Sequence, residues 1–125
     1  MAGTLGKILG TLVAGSGATV AGLVQGQAGT AITQASLTSI AYVVYRRDNA
    51  SVETLTGSGS LTISAVVFDT AQTTDPRYTL SGGYNFLAVI PASCFATKHR
   101  GHEIRVTFTP ASGQPFVQVW SGETI

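Results

Sequence analysis

Cys94, His99, His102 and Glu103 stand close together in A-S-C-F-A-T-K-H-R-G-H-E. Thiolate, imidazole and carboxylate are the donors that hold zinc, and a site needs three or four of them converging. Lys98 and Arg100 set positive charge against a dication there. Glu103 also opens an alternating run that turns it away from His102. The segment therefore reads as a solvated polar turn, with Cys94 a small buried thiol. Nucleophilic chemistry finds no better footing. No G-x-S-x-G elbow occurs, and Ser58 sits in a plain G-S-G. Asp69 and Asp75 bracket a loop that lacks the alternating oxygen donors of a calcium loop. The Gly-rich start has no lysine in phosphate-loop register. Asn49-Ala50-Ser51 matches a glycosylation acceptor, a triplet common by chance. With no convergent acid, base or nucleophile, a non-enzymatic role without cofactor or metal is expected.

The elements that carry these residues read as strands. Glu103 to Thr109 alternates without a break, with Ile104, Val106 and Phe108 on one face and Glu103, Arg105, Thr107 and Thr109 on the other. Tyr84 to Ile90 sets Tyr84, Phe86, Ala88 and Ile90 on one face, and Pro91 stops it. Ala18 to Gln25 forms a first strand, and Gly26 to Gly29 a turn. Leu37 to Tyr45 is apolar on both faces, which implies cover from both sides. Arg46 to Asn49 then reads as a polar turn, Val52 to Leu55 as a short edge strand, Gly57-Ser58-Gly59 as a turn and Leu61 to Phe68 as a strand. Asp69 to Pro76 is a polar loop, and Arg77 to Leu80 adds a short strand. Residues 91 to 97 allow at most one helical turn. Lys98 to Gly101 is a charged turn, and Pro110 to Pro115 joins the Glu103 run to a last strand, Phe116 to Trp120. About seven short strands with turns between them indicate an all-β, antiparallel sandwich.

Size and composition fit one such domain. The chain has 125 residues, 44% hydrophobic and only 10% charged. No apolar run approaches the roughly 20 residues of a spanning helix. The net charge of +1 and the lack of a basic stripe argue against nucleic acid and membrane as partners. Interface cores are depleted in charge, so a subunit that hides surface against its neighbours is expected, over a domain with a bland Ser/Thr surface. Residues 1–17 are too Gly-rich and interrupted for a secretion leader, and are expected to be an arm, mobile when free and ordered on a partner. Residues 18–125 make up the sandwich domain.

Three segments carry a resemblance: A-I-T-Q-A-S-L-T-S-I-A-Y-V-V-Y; G-S-L-T-I-S-A-V-V-F-D-T; and G-Y-N-F-L-A-V-I-P-A-S-C-F followed by H-E-I-R-V-T-F-T-P-A-S-G-Q-P. Their order is similar to the immunoglobulin-like N-terminal domain of phage baseplate upper proteins and related small virion proteins, over Ala18 to Trp120. The resemblance implies an immunoglobulin-like sandwich and a structural, assembly or docking role in a virion, as capsid decoration, connector or tail/baseplate component. Its partners would be other virion subunits and further copies of itself. Leu5, Ile8, Leu9 and Leu12 of the arm, Lys98, His99 and Arg100 of the basic turn and Gln114 of the hairpin loop are the expected contact residues. The alternative is a carbohydrate- or cell-surface-binding module, recognising a host glycan through Trp120, Tyr84, Phe86, Tyr42 and Tyr45. That use requires exposed rings.

Overall fold

A computed structural model describes residues 4–26, 28–49 and 51–125, with side chains from Gly6 onward. Met1 to Gly3 of the expected arm, the Leu5 side chain, Gln27 of the Gly26–Gly29 turn and Ala50 of the acceptor triplet lie outside them. Eight strands form two four-stranded antiparallel sheets. They are β1 (Thr4–Leu9), β2 (Ala18–Val24), β3 (Leu37–Asn49), β4 (Val52–Leu61), β5 (Val67–Gln72), β6 (Tyr84–Ile90), β7 (Gly101–Pro110) and β8 (Phe116–Glu123). The first sheet runs β1-β2-β6-β5 and the second β4-β3-β7-β8.

The two sheets close on a single apolar layer. β7 delivers Ile104, Val106 and Phe108 inward, all fully buried, as strict alternation requires. β3 adds Ile40, Tyr42 and Val44, and β6 adds Phe86, Ala88 and Ile90 from the facing sheet. Phe86 meets Phe108 edge-on at 5.2 Å and lies 5.5 Å from the Trp120 ring. The Trp120 indole N–H donates to the Ala21 carbonyl at 3.0 Å, tying the last strand to the second.

Several segments depart from expectation for identifiable reasons. Residues 4–9 are no free arm: they pair with β2 from Thr4↔Val24 to Leu9↔Thr19. Leu12 then enters the core, so residues 4–17 belong to the sandwich body. Arg46 to Asn49 continues β3 instead of turning, because β7 pairs with it as far as Arg47. Gly57-Ser58-Gly59 is likewise strand, not turn. Its glycines face inward, where Gly57 leaves room for the Cys94 sulfur and Gly59 for the Tyr42 ring. Leu61 to Phe68 breaks into one helical turn, α1 (Ile63–Val66), before β5. There the chain crosses between sheets, and Val66 and Val67 are buried in succession, which an alternating strand does not allow. β5 occupies part of the expected polar loop. Residues 77–80 are not strand: the Asp75 carboxylate accepts the Arg77 N–H at 2.9 Å and turns the chain. A short 3-10 turn, Ala92–Phe95, carries the chain from β6 back toward the second sheet.

Candidate assembly surface

The outer faces of the two sheets are treated differently. On the first sheet, Leu9 and Ala21 point outward yet are buried. Tyr78, from the β5–β6 connection, packs with them, and its ring meets Tyr84 edge-on at 5.3 Å. Phe68 and Leu87 complete this small second core. Lys7 Nζ donates to the Arg77 carbonyl at 2.9 Å and holds the same loop from β1. Asp75 pairs with Arg77 at 2.8 Å, and the guanidinium bonds hold its carboxyl down to about 2. The cover expected over β3 is thus found over β2.

The second sheet has no such cover. Its register sets Ser60, Ala41, Thr107 and Val117 in one outward row, and Ser58, Val43, Arg105 and Val119 in the next. Val117 and Val119 are 51% and 52% exposed, and Ala41 is exposed too. These rows hold one charged residue, Arg105. Further along, the face carries a compact lattice of opposite charges. Arg47 reaches Glu53 at 2.8 Å and Glu103 at 3.7 Å. Arg105 reaches Glu53 at 3.1 Å and also bonds Glu103 through its Nε. The Arg105 guanidinium stacks 4.3 Å over the Tyr45 ring. Its hydrogen bond to Glu103, ahead of the other charges, holds it protonated even more firmly than usual. A shallow cleft of about 350 Å³ beside the lattice is lined by Tyr45, Arg47, Glu53, Glu103 and Ser121 among others. Each charge of the lattice has its opposite within the chain, while Glu123, exposed and outward in the Arg47 row, pairs with no cation among the described residues.

The residues expected to do chemistry are dispersed. Cys94 is buried between the 3-10 turn and β4, and burial, partly offset by the Ser93 hydroxyl, pushes its thiol up. His99 is exposed with φ 56°. His102 points into the core against Phe95 at 5.2 Å, its Nδ1 donating to the Arg100 carbonyl at 3.0 Å. Glu103 belongs to the outer lattice. Among the described residues, no group of three or more His, Cys, Asp or Glu could hold a metal ion, and no helix is long and apolar enough to cross a membrane. Arg46 does not face a partner either: it binds Asp48 at 2.6 Å and the Thr97 hydroxyl at 3.2 Å, closing that end of the core.

The expected contact residues divide. Leu9 and Leu12 are buried and Ile8 half-buried within the chain, because β1 joins its own sheet. Lys98, His99, Arg100 and Gln114 are exposed at opposite ends of β7, as the turn chemistry requires. Trp120, Tyr84, Phe86 and Tyr42 are buried, and Tyr45 lies under Arg105, so these rings offer no glycan platform. The Glu103, Arg105, Thr107 and Thr109 face of β7 was expected to be solvent or interface, but its neighbours on β3, β4 and β8 come from segments distant in the chain. The alternation of Val117 and Val119 against Phe116 and Trp120 was a second visible signal of the same face. No family model, curated protein or solved structure matches the chain.

Proposed function

We propose that this chain is a non-enzymatic structural protein that assembles into a phage-like particle, as a capsid decoration, head–tail connector or tail/baseplate component. The observation that carries the assembly role is the asymmetry of the two outer faces: one is largely covered by the chain's own loop, with Val89 left exposed beside it, and the other is open and, Glu123 apart, internally ion-paired. Surfaces depleted in unpaired charge suit the centre of a protein–protein contact. The particle as destination rests on the likeness of the Ala18–Trp120 segments to small virion domains. The strand order supports an immunoglobulin-like form of the sandwich. β1-β2-β6-β5 follows the A-B-E-D sheet, and β8-β7-β3 the G-F-C sheet, with β4 as an additional strand beside C.

The test is whether the protein is found in particles. Virions purified from a producing host should contain it in a fixed ratio to the major capsid or tail protein, measured by quantitative mass spectrometry. Its absence from washed particles, with abundant free protein in the lysate, overturns the proposal.

A further inference from the structure

We infer that the outer face of the second sheet pairs with the same face of a second copy of this chain, an interface that specifies, and rests on, the assembly role proposed above. Three observations lead there. The face is large enough. Four strands about 4.8 Å apart and about 34 Å long, for the ten residues of β7, span about 650 Å² in plane. Two such faces together bury about 1,300 Å², within the range of specific interfaces, which starts near 1,200 Å². The face is also self-complementary. The Arg47–Glu53–Glu103–Arg105 lattice is paired within the chain and leaves only Glu123 unanswered on this face, whereas a second copy presents the same neutral rows and, in Arg47, a cation for that carboxylate. Finally, Val117 and Val119, each about half exposed on an edge strand, are large apolar side chains that nothing in the chain covers.

A two-fold axis running along the strands, between β3 and β7, satisfies all three observations. It lays neutral rows over neutral rows and lattice over lattice, with β8 of each copy over β4 of the other, so that Glu123 of each copy lies against the Arg47–Glu53 pair of the other. Val117 and Val119 then meet the small Ser58 and Ser60 side chains, and the Arg and Glu side chains lie toward one end, where a rim stays wet.

The experiment is sedimentation equilibrium of the whole chain with Val119→Arg, Ala41→Arg and Gln114→Arg, the last at a loop tip off the face. Trp120 emission checks that each variant keeps its core. The wild type should dimerise in a concentration-dependent way. Val119→Arg and Ala41→Arg, on different strands of the face, should each weaken the dimer at least about tenfold by burying an unpaired charge. Gln114→Arg should leave it unchanged. A wild type that stays monomeric to about 1 mM, where association carries only about 4 kcal/mol, overturns the inference. So does a dimer that both face variants leave intact. A monomer still found in particles removes this interface and keeps the assembly role, whereas a dimer never found in particles removes the role.

Discussion

Gly57→Ala should destabilise the chain, and removing one sulfur atom should cancel the effect. Gly57 lies in β4 opposite Val44, with its bare face toward Cys94. A methyl group there would fall closer than 3.0 Å to the Cys94 sulfur, a separation that real Cβ atoms essentially never show. Cys94 is 2% exposed, so its thiol has no solvent to swing into. Overpacking of this kind costs about 1–3 kcal/mol. The stiffer unfolded chain returns about 0.4–1 kcal/mol. The net loss is about 1–2 kcal/mol, a fall in Tm of about 3–8 °C for a domain of this size. In a Cys94→Ala background the new methyl would meet the residue 94 Cβ at 3.6 Å, an ordinary contact. There Gly57→Ala should be neutral or mildly stabilising. The double-mutant cycle, read by urea unfolding and calorimetry, should give a favourable coupling of about 1–3 kcal/mol. Additive effects would refute the account, because glycine would then be required at position 57 for some reason other than the close approach of the 3-10 turn.

Two other outcomes are expected. Burial, ahead of the nearby Arg46 charge and against the Arg100 carbonyl bond, pushes the His102 imidazole below its usual 6.5, and its Nε2 has no partner among the described residues. Below pH 6.5 the unfolded chain therefore takes up this proton first, and stability falls with pH until the folded imidazole also titrates. The carboxylates of Asp48 and Asp75, held below 3.8 chiefly by Arg46 and Arg77, lose their contribution only at lower pH. Tm measured against pH should slope downward from 6.5 in the wild type and lie flat over that window in His102→Asn; equal slopes would exclude His102 as the cause. Trypsin should spare the Lys7 bond in the free, folded chain, because β1 is hydrogen-bonded to β2 and Lys7 holds the Arg77 carbonyl. Rapid cleavage there, detected by intact-mass spectrometry, would restore the view of residues 1–17 as an arm.

The legible parts of the fold were those whose partners impose a simple period. β6 and β7 announced themselves by alternation, and Pro91 and the Pro110–Pro115 loop by backbone chemistry. What stayed hidden depended on contacts across the chain. Gly57 and Gly59 look like turn residues until Cys94 and Tyr42 are seen to occupy the space they leave. Thr4 to Leu9 is poor in strand signals, and its place at the sheet edge follows from the open side of β2. Arg46 and Arg47 suggest a turn because their charge is visible and their partners, Asp48, Thr97 and Glu53, are not. The candidate surface was half legible. Its exposed valines follow from the period of β8, but the charge lattice requires three strands to be in register before Arg47, Glu53, Glu103 and Arg105 can meet.

The bond from the Trp120 indole to the Ala21 carbonyl joins residues 99 positions apart. During synthesis β2, β3 and β6 emerge long before β8, and the aromatic layer of Phe86, Phe108 and Trp120 cannot close until the last strand has left the ribosome. Until then, Phe86 and Phe108 lack the cover of Trp120 and Phe116, and β7 lacks the neighbour on its outer side. Such an intermediate offers both apolar surface and an open strand edge, the two ingredients of aggregation. Translation rate and chaperone capture over the final strand should therefore govern the yield of folded protein more strongly than events at the N-terminal half.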